Sequence, residues 1–264
     1  MSTKLSSPPT IPIRTAGQTH PQPLPGRLSG VLFDTCNVLY DDTVWRRWVL
    51  QLLAHLGVHT NYCCFFRVWD REYLDDVHRG RRAFRDAFEA FLLSIGLSRG
   101  QIDEVAAACL VRRRHLQKTA RPLPGVKKTL ARLHESGVTL GAVANCERPA
   151  EQIADCLRQF GIERLFATVV SSIDVEATMP EPACYRAALG AMGRPVEEVV
   201  FVGHDAAQLA GAAALGMPTV AFNYDPDAAA HTYVDRFDHL VDVIVKTEAA
   251  APVVVRPSVL PAAG

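Results

Sequence analysis

The sequence predicts a doubly wound α/β fold, in which helices cover both faces of a parallel sheet and a helical cap is inserted after the first strand. Three observations support this prediction. Five short apolar runs recur along the chain, helical periodicities separate most of them, and the interval 42–118 contains helical periodicities alone. A chain of 264 residues is also long enough to bury a full core without disulfides or metal ions.

The predicted strands are apolar on both faces, as expected for parallel strands that helices cover on each side. They are Gly30–Phe33, Val138–Val143, Thr168–Ile173, Val199–Gly203 and Thr219–Phe222. Each run is short, which favours a strand over a buried helix. We therefore expect five strands in one parallel sheet.

The predicted core helices alternate with these strands. In the first of them, Val126, Leu130 and Leu133 share one face, which is the pattern of a helix that packs on a sheet. The four helices are Gly125–Glu135, Ala150–Phe160, Pro182–Met192 and Ala206–Leu215. The alternation favours helices on both faces of the sheet.

The interval 42–118 breaks this alternation and is predicted to form the cap. It holds 13 basic and 9 acidic residues, whereas 119–247 holds 11 basic and 16 acidic residues. The opposite charges favour packing of the cap against the core, and the alternative is a basic cap wall that faces an anionic ligand. The core is accordingly predicted to comprise residues 27–41 and 119–247.

Both ends of the chain are predicted to lie outside the folded domain. Residues 1–26 contain six prolines among polar residues, so we expect a disordered arm. The segment 248–264 is rich in Ala, Val and Pro without periodicity, which predicts a flexible C-terminal tail.

Composition restricts the class of partner and the compartment. The chain has 28 basic and 28 acidic residues, and this balance argues against nucleic acid or an anionic membrane as a partner. A small molecule or a protein is the expected partner, and the oligomeric state stays open. Seven cysteines without repeated CxxC spacing favour reduced thiols, no apolar run is long enough for a membrane span, and the N-terminus lacks the apolar segment of a signal peptide. We therefore expect a cytoplasmic protein.

Polar side chains follow three of the predicted strands. Asp34 and Cys36 follow the first, Asn145 follows the second, and His204 and Asp205 follow the fourth. Because ligands of doubly wound sheets bind at the carboxyl ends of the strands, these five residues are the candidate catalytic residues.

The same segments resemble the motifs of the haloacid dehalogenase (HAD) superfamily. Val31–Leu39 is similar to the first motif, an apolar strand followed by Asp-x-Asp-Gly-Thr-Leu, and Ala144–Asn145 resembles the second. Met179–Pro182 falls where the family has Lys-Pro-x-Pro, and Val200–Asp205 is similar to the strand that ends in Gly-Asp-Ser. The resemblance covers roughly residues 29–245. It implies a HAD-like, Rossmann-type core with a cap after the first motif.

For members that hydrolyse phosphate esters, the resemblance implies that Asp34 is the nucleophile. The other motif positions depart from the family pattern: Cys36 replaces the acid–base Asp, Ala144 the hydroxyl donor, Met179 the Lys, and His204 and Gln208 the acidic residues that bind Mg²⁺. Loss of the Lys removes a charge that opposes the phosphoryl oxygens. The family resemblance also makes Asp34 and His204 the candidate metal ligands. Since Mg²⁺ prefers oxygen ligands, the remaining residues predict a poor site for this ion.

Three arrangements of these residues stay open. Asp205 could replace the missing acid if the loop were rotated by one position, although side chains at a strand end alternate in direction. Asp34, Cys36 and His204 could converge on Zn²⁺ or Fe²⁺, which accept thiolate and imidazole ligands. The simplest arrangement is a small buried Cys and a hydrogen-bonded His in an inactive pocket.

The departures from the family pattern favour a non-catalytic HAD-like protein that binds a small ligand or a protein through the pocket or the cap. The alternative is a hydrolase of this family with relocated or metal-altered catalytic residues. The first hypothesis predicts no cofactor, and the second is the only one that calls for Mg²⁺.

Overall fold

The computed structural model describes residue 24 and residues 27–41 and 43–245 of the chain. Within these residues six strands form one parallel sheet: β1 (Gly30–Asp34), β2 (Thr139–Ala144), β3 (Phe166–Ser171), β4 (Val199–Gly203), β5 (Thr219–Phe222) and β6 (Thr232–Val234). The strand order is β3-β2-β1-β4-β5-β6, so β1 lies between β2 and β4 at the centre. The predicted parallel α/β fold is confirmed.

The described part of the insertion between β1 and β2 is helical, as predicted. Its helices are α1 (Val44–His55), α2 (Tyr62–Glu72), α3 (Leu74–His78), α4 (Phe84–Ser94) and α5 (Arg99–Thr119). Their apolar faces meet in a core of their own, separate from the cores of the sheet. Aromatic rings dominate it, and the fully buried Trp69 ring lies 5.4–5.6 Å from the rings of Phe84, Phe88 and Phe91, centre to centre.

The remaining helices pack on the two faces of the sheet. They are α6 (Val126–Glu135), α7 (Ala150–Gln159), α8 (Ser172–Val175), α9 (Pro182–Met192), α10 (Ala206–Ala214) and α11 (His239–Ile244). Side chains alternate along β1, so Leu32 packs in the core on one face and Phe33 in the core on the other. Both faces of the central strand are therefore buried. No helix in the described residues is long and apolar enough to cross a membrane.

The third strand ends earlier than predicted. It was expected to reach Ile173, but β3 stops at Ser171 and the chain turns into the short helix α8. The Ser172 hydroxyl accepts a hydrogen bond from the Cys146 N–H and donates to the carbonyl oxygen of His78 in the cap. Because its hydroxyl makes these two hydrogen bonds, Ser172 belongs to α8 and not to β3.

The chain ends are only partly described. Leu24 lies within the segment expected to be disordered, yet it is 1% exposed and packs in the core of the sheet. The prediction is therefore wrong at this residue. Residues 1–23, 25 and 26 and the segment 248–264 lie outside the described residues. The predicted arm and tail therefore stay predictions.

Gly211 on α10 allows this helix to approach the loop that precedes α9. A Cβ at this position would lie 2.6 Å from the Cβ and 2.7 Å from the carbonyl oxygen of Pro180. Because backbone must move to relieve such contacts, we expect Gly211→Ala to lower the free energy of unfolding by about 1–3 kcal/mol. Urea denaturation of the purified variant against the wild type measures the change.

The matched control for this prediction is Gly190→Ala on α9. An added Cβ there meets no atom within 4 Å. We expect this variant to be as stable as the wild type or more stable by up to about 1 kcal/mol, because alanine favours the helix. Equal stabilities of the two variants would contradict the close contact at Gly211.

Candidate active site

The carboxyl ends of the three central strands meet at one edge of the sheet. Asp34 is the last residue of β1, Asn145 follows β2, and His204 follows β4. Since β1 pairs with both of the other strands, the three residues lie side by side. The sequence analysis placed its candidates at this edge for the same topological reason.

Asp34 and His204 are in direct contact. Asp34 is buried, with 1% of the residue exposed. Its Oδ1 accepts a hydrogen bond from the Cys36 N–H at 3.2 Å, and its Oδ2 lies 3.0 Å from Nδ1 of His204. Because an ionised carboxylate only accepts hydrogen bonds, Nδ1 carries the shared proton.

The contact changes the proton affinity of His204. Burial by itself lowers the pKa of this ring, but the hydrogen bond and the charge of Asp34 outweigh burial. The carboxylates of Asp205 and Asp225 add to the same effect, so the pKa of His204 stands above its ordinary value. His204 therefore holds a positive charge beside Asp34 over a wider pH range than a free histidine does.

The second ring nitrogen of His204 faces Asn37, a residue that the sequence analysis did not consider. Nε2 lies 3.2 Å from Nδ2 of Asn37. When the ring is neutral, Nε2 accepts a hydrogen bond from the Asn37 amide N–H. When the ring carries a second proton on Nε2, the Asn37 amide must turn so that its oxygen accepts from Nε2. Asn37 has a φ of 56°, a conformation that asparagine tolerates better than most residues. No pattern in the sequence singled it out.

Asn145 holds the loop that carries Met179. Its Nδ2 donates to the carbonyl oxygen of Met179 at 2.9 Å, and its Oδ1 accepts from the N–H of the same residue at 2.8 Å. Met179 is 3% exposed and belongs to the apolar core that packs on one face of the sheet. The side chain proposed as a catalytic donor is thus engaged with the backbone of a neighbouring loop.

Asp205 and Gln208 belong to the start of α10. Asp205 caps this helix, because its Oδ1 accepts a hydrogen bond from the Gln208 N–H at 2.9 Å. His204, and not Asp205, faces Asp34, so the rotated loop considered above is not formed. The Oε1 atom of Gln208 is buried and has no hydrogen-bond partner in the described residues.

The donor set does not suit Mg²⁺, the ion that the family resemblance implies. Asp34, His204 and Cys36 offer one carboxylate, one imidazole and one thiol, and the buried Oε1 of Gln208 is a single neutral oxygen. Mg²⁺ requires a near-octahedral set of hard oxygen ligands. Within residues 24, 27–41 and 43–245, no three His, Cys, Asp or Glu side chains form a group that could hold a metal ion. The two predicted metal ligands, Asp34 and His204, are hydrogen-bonded to each other. The described residues do not form the alternative Zn²⁺ or Fe²⁺ site with Cys36.

The site opens into a cavity of about 1070 Å³. Asp34, Cys36 and His204 line it from the sheet, and cap residues such as Trp45 and Arg113 line it from the other side. Cavities of this size accept small molecules. The cavity therefore suits a small ligand at the carboxyl ends of the strands.

Ion pairs join the cap to the core around this cavity. Arg79, at the end of α3, donates to the Glu181 carboxylate and, at 3.0 Å, to the Thr178 hydroxyl. Arg113 of α5 pairs with Glu147 of the core. Basic cap residues thus pair with acidic core residues. This is the outcome expected if the opposite charges of the cap and the core favour their packing against each other.

Comparison with known proteins gives consistent results. Residues 28–216 match the family model described as a haloacid dehalogenase-like hydrolase. The chain is 32% identical to pyrophosphatase PpaX of Halalkalibacterium halodurans over 47% of this chain and 56% of that protein. It is 30% identical to phosphoglycolate phosphatase of Yersinia pestis over 41% of this chain and 46% of that protein. The chain thus spans about half the length of these curated relatives.

Solved structures share the fold. A HAD-superfamily hydrolase of Geobacter sulfurreducens aligns with a TM-score of 0.60 at 21% identity, over 84% of this chain and 98% of that one. The L-2-haloacid dehalogenase of Xanthobacter autotrophicus aligns with a TM-score of 0.59 at 16% identity, over 83% and 99% of the two chains. Since the family model matches most of the sequence, this protein belongs to the haloacid dehalogenase-like hydrolase family.

Proposed function

We propose that this chain is a hydrolase that cleaves a small phosphate ester with Asp34 and His204, without a bound Mg²⁺. The observation that carries the proposal is the 3.0 Å hydrogen bond between these two side chains beside a ligand-sized cavity. A buried carboxylate is a suitable nucleophile when a neighbouring group positions it and manages protons. His204 is such a group.

His204 supplies a positive charge in direct contact with Asp34. Phosphoryl oxygens are negative, so a nucleophile without a cation beside it repels them. The position where the family has a lysine holds Met179, which is buried and apolar. The imidazolium of His204 lies within hydrogen-bond distance of Asp34, so the substrate meets a neutralised pair and not a bare carboxylate.

The proposed reaction has two steps. In the first, a carboxylate oxygen of Asp34 attacks the phosphorus, and the bond to the leaving oxygen breaks. That oxygen keeps the bonding electrons and takes the proton from Nε2 of His204. In the second step the neutral Nε2 accepts a proton from water, whose oxygen attacks the phosphorus and releases phosphate and the Asp34 carboxylate.

The names of the relatives favour hydrolysis over the non-catalytic interpretation that the sequence alone supported. Both curated relatives described above are named as phosphatases. Ligand binding without turnover is the second candidate function, and one observation favours it. The two oxygens of Asp34 and both ends of the Asn145 amide are already hydrogen-bonded within the chain.

The test is hydrolysis of a substrate panel in the presence of a chelator. The panel contains p-nitrophenyl phosphate, 2-phosphoglycolate and pyrophosphate, and each is assayed with EDTA and with added Mg²⁺. We expect turnover of at least one compound in EDTA, no gain from Mg²⁺, and loss of turnover in Asp34→Asn purified in the same way. Turnover that requires Mg²⁺ would contradict the metal-independent reaction, and no turnover of any compound would favour ligand binding alone.

A further inference from the structure

The cavity wall contains several arginines, and two of them are neutralised by carboxylates. Arg46 makes two hydrogen bonds of 2.8 Å with Asp70, and Arg113 pairs with Glu147. Because their charges are compensated within the chain, these residues have little affinity left for a further anion. The other arginines that line the cavity are Arg71 and Arg121, which are exposed, and Arg148, which is not.

Arg148 differs from the two paired arginines. It lines the same cavity, is only partly exposed, and has no carboxylate oxygen within 4.0 Å in the described part of the chain. Its Nη2 donates to the Tyr40 hydroxyl at 3.0 Å, and its backbone N–H donates to the Cys146 sulfur at 3.4 Å. Its hydrogen-bond partners are therefore neutral. The neighbouring Glu147 carboxylate acts on Arg148 through space but pairs directly with Arg113, so Arg148 keeps a positive charge that an anion bound in the cavity can contact.

The backbone around Arg148 is firmly held. The Ser171 hydroxyl donates to the carbonyl oxygen of Arg148 at 2.6 Å, and the N–H of Ala150 donates to the Asp174 carboxylate at 2.7 Å. Tyr40 is 4% exposed, and its ring packs edge-on against Phe160. The guanidinium is thus positioned before any ligand arrives, which reduces the entropy lost on binding.

We propose that Arg148, oriented by Tyr40, binds a second anionic group of the ligand, so that the substrate carries an oxyanion in addition to the phosphate that Asp34 attacks. A guanidinium has five N–H donors; Tyr40 takes one, and the thiols of Cys146 and Cys156 also contact the group as weak acceptors. The donors that remain can bind an oxygen of a carboxylate or a phosphate more strongly than a thiol does. The inference rests on the proposed function in that it uses the same cavity. Binding of the second anion can still be measured if the chain does not hydrolyse the ligand.

Non-hydrolysable probes test this site separately from catalysis. Phosphonoacetate carries a phosphonate and a carboxylate, methylenediphosphonate carries two phosphonates, and ethylphosphonate carries one phosphonate and no second anion. Isothermal titration calorimetry in EDTA measures each dissociation constant for the full chain. We expect at least one of the two doubly anionic probes to bind about tenfold or more tightly than ethylphosphonate, since a charge-assisted hydrogen bond is worth at least about 1.4 kcal/mol. The tighter of the two identifies the second anion as carboxylate or phosphate.

The variants assign the gain to Arg148. Arg148→Met is expected to abolish the difference between the probes, and Arg148→Lys to keep part of it, because the charge stays and the planar guanidinium is lost. Arg186→Gln, an exposed arginine on α9 outside the cavity, is the matched control and is expected to keep the wild-type difference. Circular dichroism melting verifies that each variant is folded, and the Lys variant serves if the Met variant does not fold. Equal affinities of all three probes for the wild type, no binding of any probe, or an unchanged difference in Arg148→Met or Arg148→Lys would overturn the proposal.

Discussion

His204→Gln is expected to lower the rate of ester hydrolysis by about 10² to 10⁴. Glutamine can still donate a hydrogen bond to Asp34, but it carries no charge and transfers no proton near neutral pH. The substitution therefore separates the positioning of Asp34 from the proton transfer that we assign to Nε2. Steady-state assays in EDTA measure kcat and KM for the substrate found in the panel. A kcat within twofold of the wild type would contradict the role of His204.

The same variant yields a test of the ion pair that needs no substrate. The pKa of His204 in the folded chain is raised above its ordinary value of 6.5. The stabilisation by protonated His204 is fully present below that ordinary value and is lost as the pH rises through the raised one. We expect the wild type to lose its stability advantage over His204→Gln as the pH rises above about 6.5, as followed by urea denaturation. A stability difference that does not change with pH would show that the pair is not charged.

Trp69→Ala is expected to lower the free energy of unfolding by about 3–5 kcal/mol. The side chain is fully buried at the centre of the cap, among Phe84, Phe88 and Phe91. Its removal leaves a cavity that these rings cannot fill without leaving their packing positions. Urea denaturation followed by far-ultraviolet circular dichroism measures the loss.

Two control variants make this prediction specific. Val111→Ala shortens a side chain on α5 that is 68% exposed, so we expect a change within about 0.5 kcal/mol. Trp69→Phe keeps an aromatic ring and removes Nε1, a buried donor without a partner in the described residues, so we expect a smaller loss than in Trp69→Ala. Equal stabilities of Trp69→Ala and Val111→Ala would place Trp69 outside the cap core.

The sequence predicted most precisely the elements whose limits are marked by residue type. The strand Val199–Gly203 and the helix Pro182–Met192 agree with the structure to the residue, because an unbroken apolar run or a clear N-terminal proline marks their limits. Strand β6 and helix α11 were missed. The first has only three residues and the second has six, which is too short for either period to be recognised.

The candidate site was predictable in position and less so in detail. The rule that ligands bind at the carboxyl ends of the strands placed Asp34 and His204 at one edge, but the pairing of β1 with β4, which makes them neighbours, was not predicted. The capping role of Asp205 was not predicted, although an Asp directly before an apolar helix is a signal for it. The contact between Asn145 and Met179 depends on the path of a loop distant in sequence, and no periodicity carries that information. Arg148 was missed because the sequence does not reveal which arginines find a carboxylate.

The central claim is that Asp34 forms a covalent bond to the transferred group without Mg²⁺. Peptide mass spectrometry after rapid acid quenching in EDTA, with the substrate identified from the panel, tests it most directly. We expect the peptide that contains Asp34 to gain the mass of the phosphoryl group. For a substrate such as p-nitrophenyl phosphate, whose leaving group departs without a proton from Nε2, we expect this species to accumulate in His204→Gln, where the second step is slowed. Turnover with no modified Asp34 in either protein, together with an undiminished rate in Asp34→Asn, would contradict the account.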